Sequence, residues 1–155
     1  MERILEAMDV RQMSINNRPT WNQYALDLAI IAAKRSEDPW LKVGAVVLRT
    51  DMSIAGIGYN GAPSGVNINW NERENRRPLV IHAEVNALRY TTPAEVRGGL
   101  IAITGIPCPS CLTVISSYGI KSIVYGEELE NYPTKISHDV ADKLGIIMIR
   151  EQKNV

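Results

Sequence analysis

Two short stretches carry residue types that can do chemistry, "HAE" at 82–84 and "PCPSC" at 107–111. His82, Cys108 and Cys111 offer an imidazole and two thiols, ligand types of a tetrahedral zinc site that keeps its fourth position for water when catalytic. Glu84 offers a carboxylate that can move a proton. Each motif alone has a plainer reading: H-x-E pairs are mostly polar surface, and a C-x-x-C opening a helix after a strand suits a redox dithiol. Together they point to hydrolysis at a metal. A carboxylate beside the metal takes a proton from a bound water, whose pKa falls to about 7, and delivers it to substrate. A purely structural zinc calls for a fourth protein ligand, and the other histidine, His138, falls in the last helix, where a surface position is expected.

The spacing constrains the elements that must hold these groups. Residues two apart in mid-helix point roughly 200° away from one another, so His82 and Glu84 share one site only if their helix begins at them, where side chains lean past its end. Cys108 and Cys111, at i and i+3 in the first turn of another helix, share a face, and the turn's free N–H groups can stabilise thiolates. Two helices are therefore expected to converge end-on at the metal.

The rest of the chain supplies a frame for that convergence. A first helix is expected over 21–36, capped by Thr20 and closed by Pro39, with Trp21, Tyr24, Leu28, Ile31 and Ala32 at helical spacing. "VGAVVLRT" and "SIAGIGY", separated by Asp51 and Met52, read as a β-hairpin. A Gly-, Asn- and Pro-rich loop over 60–78 follows, of a length that is often functional when ordered. "IHAEVNALRY" reads as the second helix, "GGLIAITGIP" as strand three, and "CPSCLTVISSYG" as the third helix, stopped by Gly119. "IKSIVYG", "TKISHDVADKLG" and "IIMIRE" give strand four, the fourth helix and strand five. Strand–helix–strand alternation in the second half favours parallel pairing. The expected fold is α/β in three αβα layers, a five-stranded mixed sheet with an antiparallel hairpin edge and parallel strands 3-4-5.

Whole-chain properties narrow the function classes. The 155 residues suit one domain at 20–155 behind an N-terminal arm at 1–19, whose Ile4, Leu5 and Met8 carry a short helical pattern. Seventeen basic residues balance seventeen acidic ones, so bulk charge gives no case for binding nucleic acid, a membrane surface or an acidic partner. Neither a membrane span nor a signal peptide is legible, and a soluble, cytoplasmic protein is expected.

H-x-E with P-C-x-x-C is the signature of zinc nucleobase deaminases. Over roughly 21–150, through "KRSEDP", "VGAVV", "GIGYNGAPSG", "HAEVNAL", "PCPSC" and "GIKSIVY", the chain resembles the cytidine deaminase superfamily, and more narrowly the deoxycytidylate (dCMP) deaminases. That resemblance implies hydrolysis of dCMP to dUMP and ammonia at a cyclic amidine C–N bond, supplying thymidylate synthesis. It implies Zn²⁺ on His82, Cys108 and Cys111, attack of activated water at C4, and Glu84 protonating N3 and then helping the amino group leave. By the same resemblance the N–H of Ala83 and the carbonyl of Ile106 orient the base, and Asn60 binds the sugar hydroxyl. A turn residue in a left-handed bend is the plainer expectation for Asn60. Arg35 and Ser36, with Lys42 nearby, are expected to hold the phosphate; a solvated helix end is the plainer reading. Arg73, Arg76 and Arg77 are looser candidates. The resemblance further implies a homohexamer, activated by dCTP and inhibited by dTTP through Gly58, Tyr59, Asn60 and Gly61, with Mg²⁺ accompanying a triphosphate. Ile106 departs from the Ser or Thr usual before Pro-Cys, and the absence of spare cysteines implies one zinc per subunit. A nucleic-acid deaminase of the tRNA adenosine type is the main rival. Balanced charge and 6% aromatic residues argue against it.

Overall fold

The computed structural model describes residues 17–129, 132, 134–153 and 155. The helical pattern expected at Ile4, Leu5 and Met8 lies outside them. The main helices are α1 (Trp21–Ala33), α2 (Ala83–Leu88), α3 (Pro109–Ser117) and α4 (Thr134–Leu144). The strands are β1 (Gly44–Leu48), β2 (Ile54–Tyr59), β3 (Leu100–Gly105), β4 (Ser122–Glu127) and β5 (Ile147–Arg150). They form one five-stranded sheet in the order β2-β1-β3-β4-β5. β1 runs antiparallel to both neighbours, and β3, β4 and β5 are parallel, as the alternation of elements requires.

Period-two alternation splits the central strands between two cores. Ala45, Val47, Ile101, Ile103 and Ile123 face α2, α3 and α4. Val46, Leu48, Leu100, Ala102 and Val124 face α1. β1 is buried along its whole length, which is why it reads as an unbroken apolar run.

Local chemistry sets the element ends. Thr20 and Gln23 form a reciprocal capping box at the start of α1. Gly119 follows α3 with φ +78, a left-handed position that a side chain would strain. α1 ends at Ala33 rather than residue 36, and its buried residues are Ala25, Leu26, Asp27, Ala29, Ala32 and Ala33. Of the residues at helical spacing, Ala32 is buried and Leu28 packs part-buried against the core, while Trp21 is 50% and Ile31 54% exposed. Small residues win the inward face because α1 lies close on the sheet: a Cβ on Gly44 would fall 1.9 Å from the Ala29 carbonyl oxygen. Two four-residue helical turns, Arg73–Arg76 in the long loop and Pro93–Val96, are additions to the expected order. Among the described residues no helix is long and apolar enough to cross a membrane.

Candidate metal and active site

α2 begins where the chemistry of His82 and Glu84 requires. His82 is the N-cap with extended backbone, Ala83 is the first helical residue, and Glu84 stands in the first turn. α3 starts in the same way, with Cys108 as N-cap and Pro109 next. Its sulfur takes the place of the usual capping oxygen and accepts the Cys111 N–H at 3.4 Å. His82 Nδ1 lies 3.2 Å from Cys111 Sγ and 3.6 Å from Cys108 Sγ. All three ligand atoms fall within 4.8 Å of one another. Zn–S bonds of about 2.3 Å and Zn–N bonds of about 2.0 Å at tetrahedral angles place ligand atoms roughly 3.5–3.8 Å apart. The cluster therefore fits zinc with little adjustment, and both cysteines are free thiols.

The electrostatics follow from that crowding. The Cys111 thiol beside Cys108 holds the Cys108 thiol down to about 3, with His82 helping. Contact with Cys108 and burial push the Cys111 thiol far up. His82 is raised, chiefly by its contact with Cys108. A divalent cation resolves the conflict by ligating both sulfurs as thiolates. Glu84 is 4% exposed, and burial pushes its carboxyl up, against a smaller downward pull from His82. A carboxyl that leans toward its protonated form beside the metal cluster suits proton transfer in both directions.

A cavity of ≈ 220 Å³ opens over this cluster, lined by His82, Glu84, Cys108, Ile106, Ala83 and Asn60 among others. A larger groove of ≈ 820 Å³ runs between α1 and the β5 end and holds none of the metal-binding residues. Asp38, Leu129 and Tyr132 also line the smaller cavity; Asp38 falls within "KRSEDP", whereas Leu129 and Tyr132 belong to no motif that singles them out in the sequence.

Asn60 is buried, and its amide is largely occupied by the 38–43 loop. Oδ1 accepts the Val43 N–H at 2.8 Å, and Nδ2 donates to the Leu41 carbonyl at 2.8 Å and to Asp38 Oδ2 at 3.3 Å. One Oδ1 lone pair remains for a ligand hydroxyl. The left-handed bend expected here is absent: Met52, at φ 69, is the only non-glycine residue with positive φ among those described. Ser36 donates its hydroxyl to the Asn60 carbonyl at 2.8 Å, and Lys42 Nζ donates to the Ser36 carbonyl. Arg35 is exposed. Of the expected phosphate donors, Arg35, Ser36 and Lys42 do not line the cavity, whereas Arg76 and Arg77 do. In the 58–61 segment, a Cβ on Gly58 would meet the Ala87 nitrogen at 2.5 Å, the Tyr59 carbonyl accepts from Asn86 Nδ2 at 2.8 Å, and Gly61 bridges to Ile81.

A three-layer αβα domain in which two helix N-termini bring one histidine and two cysteines together, with a buried glutamate alongside, defines the zinc deaminase class. The family described as the cytidine and deoxycytidylate deaminase zinc-binding region matches residues 19–127, and the chain belongs to it. It is 35% identical to the deoxycytidylate deaminase of Mycobacterium phage D29 over 72% of this chain and 98% of that one. It is also 35% identical to mouse deoxycytidylate deaminase over 68% of this chain, but spans 64% of the mouse protein's length. Among solved structures, the dCMP deaminase of cyanophage S-TIM5 in complex with dCMP and dUMP superposes with a TM-score of 0.73 at 31% identity. That likeness covers 86% of this chain and 98% of the phage enzyme.

Proposed function

We propose that the protein hydrolyses dCMP to dUMP and ammonia, using one zinc ion per subunit. The observation that carries this reading is the buried Glu84 beside the His82, Cys108 and Cys111 cluster at the floor of a small cavity. Relatives that bear the name dCMP deaminase and match over nearly their full length support the choice of substrate.

His82, Cys108 and Cys111 would hold the metal, which when bound supplies Lewis-acid activation of a water and so a nucleophile at neutral pH. Glu84 takes the proton released from that water and gives it to N3 of the base. It then carries the second proton to the departing amino group, so the sum is cytosine plus water giving uracil plus ammonia. The Ala83 N–H, free at the first turn of α2, donates to the base, and the Ile106 carbonyl accepts from its amino group. Both use backbone, so the Ile106 side chain does not impair them. Asn60 offers its remaining lone pair to the sugar hydroxyl.

Supply of thymidylate synthesis, dCTP activation and dTTP inhibition through residues 58–61, and homohexameric assembly belong to the same reading by family likeness. Zinc-loaded protein is to be incubated with dCMP, deoxycytidine, dCTP and single-stranded DNA while ammonia release is followed. Turnover of dCMP is the expected result, and release from the polynucleotide alone would overturn the reading.

A further inference from the structure

We infer that Arg76 and Arg77, with Trp40 as the platform beneath Arg76, form the anion subsite of the cavity and take the 5′-phosphate of a nucleoside monophosphate. The inference rests on the cytosine-nucleotide reading above and adds the residues that separate a nucleotide from a bare nucleoside.

Balanced charge means that any phosphate must be held by a local cluster. Among the described residues, and apart from His82, which is committed to the metal cluster, Arg76 and Arg77 are the basic residues lining the cavity. Neither has a carboxylate partner among the described residues, whose ion pairs are Arg49 with Glu95 and His138 with Glu128. Asp38, in the same cavity, does not neutralise them, because its oxygens accept the N–H groups of Trp40 and Leu41 and the Asn60 amide.

Arg76 is moreover held in place. Its Nη1 donates to the Trp70 carbonyl at 2.8 Å, and its guanidinium carbon lies 5.9 Å from the Trp40 ring centre. The Trp40 indole donates to the same Trp70 carbonyl at 3.1 Å, and its backbone N–H is tied to Asp38. Trp40 is 66% exposed, so apolar burial does not explain it; a fixed aromatic face under a cation does. One of five guanidinium N–H donors is used on Trp70, which leaves the others for phosphate oxygens in the planar fork that suits them. Arg77 follows at the exposed rim, where a second charge strengthens capture without a desolvation cost.

The test compares kcat/KM for dCMP and for deoxycytidine on zinc-loaded wild type, Arg76→Gln, Arg77→Gln, Arg35→Gln, Trp40→Phe and Trp40→Leu, with inorganic phosphate as a competitive inhibitor against dCMP. Wild type should favour dCMP. Arg76→Gln should lower the dCMP-to-deoxycytidine ratio about 10- to 100-fold, the range for losing a hydrogen bond to a charged group, through KM rather than kcat, and weaken phosphate inhibition in parallel. Trp40→Leu should lower the ratio part of the way and Trp40→Phe should restore it. A wild type with no turnover of dCMP sinks the substrate reading itself. A wild type that favours dCMP, combined with Arg76→Gln and Arg77→Gln that keep its ratio, or with Arg35→Gln that loses it instead, overturns the assignment of this subsite.

Discussion

Glu84 sits where the energetics of folding and of catalysis oppose each other. A carboxylate with 4% exposure gives up most of its hydration, and burial raises its pKa against the weaker attraction of His82. A group tolerated on those terms is a candidate for function. Glu84→Gln keeps size and hydrogen-bonding capacity but cannot carry a proton. Expected is a folded, zinc-retaining variant whose kcat falls at least about 100-fold, the lower end for general acid–base catalysis. Ammonia release alongside a metal assay checks both halves. Full turnover would remove Glu84 from the mechanism, and lost zinc would make it a structural residue.

Asn60 poses the converse case, a polar residue whose bonds are mostly internal. Asn60→Asp removes both Nδ2 donors and sets a second carboxylate against Asp38, whose Oδ2 lies 3.3 Å from the present amide nitrogen. The 38–43 loop, which carries Trp40, loses its tie. We expect a stability loss of about 1–3 kcal/mol, the cost of leaving buried groups unpaired, together with a higher KM for dCMP. Denaturant unfolding and steady-state kinetics read these separately; an unchanged midpoint would show that the network does not hold the loop.

At the scale of elements, two helix N-termini meet at one point, and what fixes each of them decides the metal geometry. The start of α2 was legible because His82 and Glu84, two apart, can share a site only at a helix end, and the structure caps the helix at His82. The cysteine pair was legible because residues three apart share one helix face, so Cys108 and Cys111 can bind one metal. The inward face of α1 was not: Trp21, Tyr24 and Ile31 carry the stronger apolar signal, yet a sheet approached to within 1.9 Å of a notional Gly44 Cβ admits mainly small residues. Nor was Ser137, a hydroxyl inside an amphipathic helix with no motif around it. It is fully buried on α4 and donates to the Pro107 carbonyl at 2.8 Å, pinning the turn that presents Cys108. Supporting groups behind a metal ligand are typically worth about 10- to 100-fold in affinity. Ser137→Ala should therefore lose zinc to a chelator at about tenfold lower concentration than wild type, and Ser137→Thr should recover most of the difference. Equal chelator resistance in all three would make Ser137 a packing residue only.

For the whole molecule, the metal cluster adds an end-to-end tie between two helices that already pack into one core. α2 has six residues, too few to be stable as an isolated helix, and it leans on β2 and β1, while α3 rests on the opposite half of the core beside α4. His82 and the two cysteines are the point where these halves are drawn together at their ends. Two apolar cores, one on each face of the sheet, do not involve the metal-binding side chains, so the fold should survive without zinc. Its stability should nevertheless depend on zinc, because a ligand bound only by the native state at a free concentration a thousand times its Kd contributes about 4 kcal/mol. At about 2–4 °C per kcal/mol for a chain of this size, chelation should lower Tm by on the order of 10 °C. Far-UV circular dichroism should keep its native shape below that transition. Two results would count against this division of labour. Collapse of the spectrum on chelation would mean that the metal organises the fold, and an unmoved Tm would mean that His82, Cys108 and Cys111 do not bind zinc tightly enough to link the two halves.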